Sequence, residues 1–125
     1  MTVPADLHYN RDHQWVRLQG EIATIGITDY AQGELSDIVF VELPDLGDIE
    51  KASPVAVVES VKTTRDIYAP IAGEIIEVNM DLVPDPAKLN TDPYDTGWIF
   101  KLRVSDPEQV HQLMAAASYT SLLSR

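Results

Sequence analysis

The sequence predicts a mainly β fold, a flattened barrel or sandwich of short strands with a helix packed on its outside. Short runs of β-branched and aromatic residues recur along most of the 125 residues, and turn signals separate them. One stretch near the C-terminus instead shows helical periodicity behind a helix start signal. The chain length suits a single domain over residues 1–125, and a hydrophobic content of 45% can supply its core.

The first elements are two strands and a short helix. Residues 15–18 and residues 22–27 are apolar runs joined by Gln19 and Gly20, which predicts two strands and a tight turn. Thr28 can cap a short helix over residues 29–32, and Gly33 is its predicted end.

Further strands follow the same pattern of apolar runs and breakers. We expect strands over residues 38–43, 54–58, 66–69 and 73–78, and prolines end the first and third of these. Residues 98–104 alternate, so that Phe100, Leu102 and Val104 share one face of a strand.

A C-terminal helix is predicted from a capping box and an apolar stripe. Ser105 is the expected cap, Glu108 stands three residues on, and Pro107 lies in the first turn. The stripe at helical spacing, which we expect to pack on the core, comprises Val110, Leu113, Met114 and Ala117.

Composition excludes several classes of function. The formal net charge of -11 disfavours nucleic acid and anionic membranes as partners. The chain has no cysteine, which excludes disulfides, thiol nucleophiles and cysteine metal sites. No apolar run is long enough to span a bilayer, and the N-terminus has no leader character, so we expect a cytoplasmic protein. A processed organelle protein would look the same.

The chemistry-bearing stretch is a polar connection between two apolar runs. Residues 59–66 should form an exposed hairpin tip with Lys62 at its centre. A lysine amine forms a stable amide with a carboxylate cofactor, and its four-carbon stem lengthens the resulting arm. On spacing alone, an ordinary surface lysine is the commoner explanation.

Eight segments in order resemble the glycine cleavage H-protein family over nearly the whole chain. They are residues 12–16, 25–32, 37–44, 58–62, 68–70, 73–79, 90–94 and 97–98. The resemblance implies a lipoyl-domain fold of the barrel-sandwich hybrid type. It also implies a lipoyl group on Lys62, with Glu59, Ser60 and Val61 forming the turn that the attaching enzyme recognises.

The resemblance further implies a non-catalytic carrier. A pyridoxal-phosphate-dependent glycine decarboxylase would load an aminomethyl group on the arm, and an aminomethyltransferase would pass on the one-carbon unit. A dihydrolipoyl dehydrogenase would reoxidise the dithiol, and a lipoyl-attaching enzyme would install it. Tethering makes each transfer effectively intramolecular.

The family places a cleft for the loaded arm around Asp12, Gln14 and Asp66, of which Asp66 is the best candidate to face the aminomethyl cation. Asp66 could instead pair with Arg65 or cap the hairpin. Gln14 departs from the family's usual glutamate, and an amide cannot neutralise that charge. Ser36 departs from a usual glycine, which predicts strain if the backbone there has positive φ.

Other functions remain as alternatives. A related lipoyl carrier or relay that serves other lipoate-dependent enzymes would keep the same lysine motif, and a small enzyme or structural β domain is a third class. Biotin carriers flank their lysine with methionine, but Val61 and Thr63 stand here.

The spacing of His8, His13 and His111 suits no metal site, so we expect none. The segment 90–94 has turn chemistry, which we expect to be loop architecture.

Overall fold

The computed structural model describes residues 1–124 and shows two antiparallel sheets with short helices. Strands and helices occur in the chain order β1 His8–Tyr9, β2 Gln14–Gln19, β3 Ile22–Ile27, α1 Asp29–Leu35, β4 Ile38–Glu42, β5 Gly47–Ile49, β6 Pro54–Ser60, β7 Thr64–Tyr68, β8 Gly73–Val78, α2 Lys88–Thr91, β9 Phe100–Val104, α3 Glu108–His111 and α4 Ala116–Leu123. A single 3-10 turn spans Met80–Leu82. The predicted mainly β class is confirmed.

The larger sheet has the order β1-β2-β3-β9-β8-β5, and the smaller sheet has the order β4-β6-β7. The core lies between them, because strands of both sheets contribute fully buried apolar side chains, among them Ile25, Phe100, Val58 and Ile67. Alternation of buried and exposed residues along β9 places Phe100, Leu102 and Val104 inward, as predicted. The smaller sheet turns its other face to solvent, and its central strand leads into the Lys62 turn.

The first helix begins as predicted and ends later. Thr28 caps α1, and its Oγ1 accepts a hydrogen bond from the Ala31 N–H. The sequence predicts that Gly33 ends this helix, but the helix continues through Gly33 to Leu35, with Ser36 as its C-cap. Leu35 is fully buried in the core, so packing of the last turn outweighs the low helix propensity of glycine.

The C-terminal prediction of one continuous helix is wrong. Helix α3 lasts only four residues, and Ser105 does not cap it, since Asp106 Oδ1 accepts the Glu108 N–H instead. The chain then extends so that Met114 and Tyr9 exchange two backbone hydrogen bonds of 2.8 Å. This bridge occupies the open edge of β1, and the helical path resumes only at α4.

A second apolar cluster fixes α4 against the larger sheet. Tyr119 is fully buried and stacks on Tyr9 with ring centroids 4.6 Å apart and planes 6° apart. Trp15 is also fully buried, and its Nε1–H donates to the Pro93 carbonyl at 2.9 Å. This cluster lies directly behind the segment that carries Asp12 and His13.

Candidate functional site

Lys62 lies at the centre of the three-residue connection 61–63 at the tip of the β6–β7 hairpin, just beyond the pairing of Glu59 with Thr64. Lys62 and Val61 are both exposed. Within residues 1–124, the Lys62 side chain makes no hydrogen bond or ion pair. The amine is therefore free to enter the active site of another protein.

The Ser60 hydroxyl holds the shape of this turn. Although it adjoins the exposed tip, Ser60 is only 6% exposed. Its Oγ accepts hydrogen bonds from the Lys62 N–H at 3.3 Å and the Thr63 N–H at 3.1 Å. The same hydroxyl donates to the Thr63 carbonyl, which the Ser60 N–H also reaches at 2.8 Å. Of the predicted recognition residues, Ser60 thus builds the turn, while Glu59 and Val61 present their side chains to solvent.

A second support reaches the turn from α2. The Val61 N–H donates to the Asp37 carbonyl at 3.0 Å. The Asn90 side chain binds the residues on both sides of Asp37. Its Nδ2 donates to the Ser36 carbonyl at 2.7 Å, and its Oδ1 accepts the Ile38 N–H at 2.9 Å. Asn90 was predicted to serve loop architecture, and here its side chain positions the segment on which the Lys62 turn rests.

A cleft of about 450 Å³ opens beside the turn. That volume lies within the range of roughly 300–1,000 Å³ of small-molecule pockets. Two of the three predicted cleft residues, Asp12 and Asp66, line it, and within residues 1–124 neither carboxylate accepts a hydrogen bond. The other lining residues are Arg11, His13, Thr63, Thr64, Arg65 and Tyr68.

Gln14, the third predicted cleft residue, lies beneath the cleft and does not line it. Its side chain is 1% exposed. Its Nε2 donates to the Tyr68 carbonyl at 2.7 Å, and its Oε1 accepts from the Asn10 side chain at 2.7 Å. Both ends of the amide are thus engaged, and Gln14 holds the end of β7 in place without reaching a group inside the cleft.

One wall of the cleft was missed by sequence reasoning. Arg65 does not pair with its neighbour Asp66, because its Nη2 contacts Glu34 Oε1 at 3.2 Å. A hydrogen bond from the Tyr30 hydroxyl to Glu34 raises the pKa of Tyr30. The Arg65 Nη1 is buried and donates to no acceptor among residues 1–124. The available signal was the position of Arg65 directly before Asp66 in the sequence, but the partner of Arg65 on α1 is 31 positions away.

His13 forms the rear of the cleft and connects it to α4. Its backbone has φ of 63°, a left-handed conformation that is uncommon outside glycine. Its Nδ1 lies 2.8 Å from the Tyr119 hydroxyl, which in turn lies 2.7 Å from Thr28 Oγ1. Burial lowers the pKa of His13, which favours the neutral ring at pH 7, and burial raises the pKa of Tyr119 to about 12.

The arrangement suits a tethered group better than a free substrate. An exposed amine stands on a hydrogen-bonded turn, and the cleft beside it carries two carboxylates that accept no hydrogen bond from residues 1–124. Within residues 1–124, no helix is long and apolar enough to cross a membrane.

Comparison with known proteins identifies the family. The family model described as glycine cleavage H-protein matches residues 7–125. Glycine cleavage system H proteins of Methylacidiphilum infernorum and Thermus thermophilus are 47% and 49% identical over 124 residues, which cover 98% of this chain and 97% of each relative. A crystal structure of the Mycobacterium marinum glycine cleavage system H protein aligns with a TM-score of 0.89 at 35% identity, covering 98% of this chain and 100% of that one. The chain belongs to the glycine cleavage H-protein family.

Proposed function

We propose that this protein is the lipoyl carrier of glycine cleavage and that Lys62 bears the arm. Family membership supports the carrier role. The exposed Lys62 amine, on a turn held by hydrogen bonds to the Ser60 hydroxyl, supports the attachment site. The lipoyl disulfide, when attached, supplies the sulfur that takes up and releases the aminomethyl group. The chain itself contributes no catalytic group and acts by presenting and sheltering the arm.

The protein serves several partners in turn. A glycine decarboxylase, an aminomethyltransferase and a dihydrolipoyl dehydrogenase share one arm, and a lipoyl-attaching enzyme acts once before them. Because the arm is covalently held, each partner meets it at a high effective concentration once the carrier docks. The free hairpin tip supports this role, since a protruding turn can enter successive active sites.

The central test is modification and activity at Lys62. Lipoylated wild-type protein should support glycine-dependent carbon dioxide exchange with glycine decarboxylase, whereas Lys62→Arg keeps the charge but loses the acylable amine. We expect no exchange with the variant and a free energy of unfolding changed by at most about 0.5 kcal/mol. The matched control is Lys51→Arg, an exposed lysine on another turn, which should keep full exchange.

Intact mass decides the attachment site. One lipoyl group on the wild type and none on Lys62→Arg is the expected result. A lipoyl group on Lys51, Lys88 or Lys101 would contradict the proposal. A protein that is lipoylated at Lys62 but inactive in exchange, yet able to donate its lipoyl group to other proteins, would be a lipoyl relay and not a glycine cleavage carrier.

We further propose that the loaded arm rests in the cleft against Asp66. Asp66 lies on β7 four residues past Lys62, lines the cleft, and has a carboxylate that no described residue engages. A carboxylate there would stabilise a cationic aminomethyl group, and Asp12 lines the same cleft. Gln14 contributes indirectly, by holding the Tyr68 backbone.

Spontaneous release of ammonia from the loaded carrier, without partners, tests the resting place. Asp66→Asn removes the charge while keeping the side-chain shape, so the release should become several-fold faster. Asp48→Asn, at an exposed acid on β5, is the matched control and should leave the rate unchanged. Equal release rates for wild type and Asp66→Asn, with fold and lipoylation intact, would place the arm elsewhere.

A further inference from the structure

Three exposed apolar side chains flank the Lys62 turn. Val61 is 67% exposed, Phe40 is 52% exposed and Val39 is 51% exposed. Val39 and Phe40 belong to β4, which is held to the turn by the hydrogen bond from the Val61 N–H to the Asp37 carbonyl. We call these three residues the hairpin-edge patch.

An irregularity in β4 creates the patch. The pairing of β4 with β6 shifts between Ile38, opposite Ser60, and Phe40, opposite Glu59. Such a bulge breaks the alternation of a strand, so two consecutive large apolar residues are exposed. Among residues 1–124, the other exposed large apolar residues are Met1, Leu46, Met80 and Val83 on separate segments, and Tyr68, which lies at the end of β7 far from the turn in register. Clustered apolar exposure on a strand at the edge of a sheet is typical of an interaction surface.

The charges around the patch define the chemistry of its partner. Three exposed acidic residues lie around the patch: Asp37 immediately before β4, Glu42 at the end of β4, and Glu59 on β6. Among residues 1–124, none of these carboxylates lies within 4.0 Å of a lysine or arginine nitrogen. The complementary surface is therefore an apolar socket for Phe40 with a rim of lysine or arginine side chains.

We infer that this patch is the docking surface for the enzyme that attaches the lipoyl group to Lys62. The inference rests on the proposed attachment at Lys62. An enzyme that acylates the Lys62 amine must bring its reacting carbon to that nitrogen, so it necessarily covers the residues beside the turn. Enzymes that act on the distal sulfurs of the finished arm work at the arm's full length from this backbone, and they can dock farther away.

Competition by an unmodifiable carrier tests docking separately from chemistry. Lys62→Arg protein should inhibit lipoylation of wild-type apoprotein by a purified lipoate–protein ligase supplied with lipoate and ATP. Adding Phe40→Ser to Lys62→Arg should raise the inhibition constant about tenfold, as for a central interface aromatic. The matched control adds Met80→Ser, at a side chain that is 63% exposed, and should leave the inhibition constant unchanged.

The carboxylates have their own control pair. In the Lys62→Arg background, Glu59→Gln should raise the inhibition constant several-fold at low salt, and this difference should shrink at high salt. Glu21→Gln, at an exposed acid on the turn between β2 and β3, should have no effect. Unchanged thermal unfolding of each variant ensures that the comparison reports docking and not folding.

The outcomes separate this inference from the proposed function. Lipoylation of wild type at Lys62, with an inhibition constant that Phe40→Ser leaves unchanged, would overturn the docking surface and leave the carrier role intact. Loss of exchange with glycine decarboxylase in lipoylated Phe40→Ser, without any effect on attachment, would assign the patch to that enzyme and overturn the inference. A wild-type dimer that Phe40→Ser converts to a monomer would assign it to a second copy of this chain.

Discussion

Ser36 has a backbone conformation that strongly favours glycine. With φ of 65° and ψ of -148°, it lies in a region that side chains with a Cβ rarely adopt. The sequence predicts strain at Ser36 on the condition of a positive φ, and the structure meets that condition. The conformation persists because Asn90 holds the carbonyl of Ser36 and the N–H of Ile38, and because the Ser36 N–H donates to Gln32. The surrounding contacts thus compensate for the local cost.

Replacing this residue by glycine should stabilise the protein. Ser36→Gly removes the steric cost at positive φ, so the free energy of unfolding should rise by about 1 kcal/mol in denaturant titration. Ser105→Gly is the matched control, because Ser105 is exposed, has no positive φ and makes no side-chain hydrogen bond. It should be neutral or destabilising. If both variants change stability equally, Ser36 stores no strain.

Ser60 shows how one side chain determines the shape of a functional turn. Its buried hydroxyl satisfies the backbone N–H groups of residues 62 and 63, which this short connection would otherwise leave to water. An alanine at this position would lose these hydrogen bonds. The serine two residues before Lys62 therefore also fixes the backbone conformation of the turn.

At the scale of elements, the segment after β9 is held by contacts with the N-terminal strands. Tyr119 on α4 stacks on Tyr9, and its hydroxyl bridges His13 and the Thr28 cap of α1. One side chain thereby ties α4, α1 and the rear of the cleft together. Movement of α4 would disturb the cleft through His13.

The ionisation of His13 should make this connection sensitive to acid. Burial lowers the pKa of His13 below its ordinary value of 6.5, so on acidification the unfolded chain binds the proton before the native protein does. The free energy of unfolding should therefore fall as pH drops from 6.5 to the native pKa and be unaffected by His13 above 6.5.

Denaturant titrations between pH 5 and pH 8, about the range over which histidines titrate, measure this loss. His13→Asn should lack it, because asparagine tolerates positive φ and has no charge change there. His111→Asn, at an exposed histidine of α3, is the matched control and should keep the loss. A His13→Asn profile parallel to the wild type would assign the acid sensitivity to other groups.

At the scale of the whole molecule, acidic charge dominates the surface. The net charge is -11, and within residues 1–124 only three ion pairs form, all at partly exposed side chains: Arg65 with Glu34, Lys101 with Glu77, and Arg103 with Glu74. Exposed pairs contribute little to stability, about 0–1 kcal/mol each. Most of the negative charge is thus available to attract basic surfaces of partners.

Partner association should accordingly weaken with salt. Exposed charges are screened beyond roughly 10 Å at 0.1 M ionic strength, so the KM for the lipoylated carrier in glycine decarboxylase exchange should rise with sodium chloride. Exchange with free lipoamide as the acceptor, measured over the same salt series, reports the direct effect of salt on the enzyme. Equal salt dependence of the two acceptors would limit the acidic surface to a role in solubility.

The sequence by itself determined the features that depend on neighbouring residues. The apolar runs of β2, β3, β6, β8 and β9, the Thr28 cap and the exposed position of Lys62 could all be predicted, because periodicity and turn chemistry act locally. The order of segments that carries the family resemblance is likewise a property of the sequence. The local elements and the family segments both depend on the order and spacing of residues along the chain, and recognising them does not require knowing which strands pair.

Only the tertiary structure decided the features that depend on distant partners. The C-terminal segment has helical periodicity, but Met114 pairs with Tyr9 at the open edge of β1, and this β-bridge interrupts the helix. Gln14 lies beneath the cleft because it donates a hydrogen bond to the Tyr68 carbonyl, 54 positions away. Arg65 pairs with Glu34 and not with its neighbour Asp66. His13 contacts Tyr119 across 106 positions. A side chain takes the partner that satisfies its hydrogen bonds at least cost in burial, and only the folded chain brings those partners within reach.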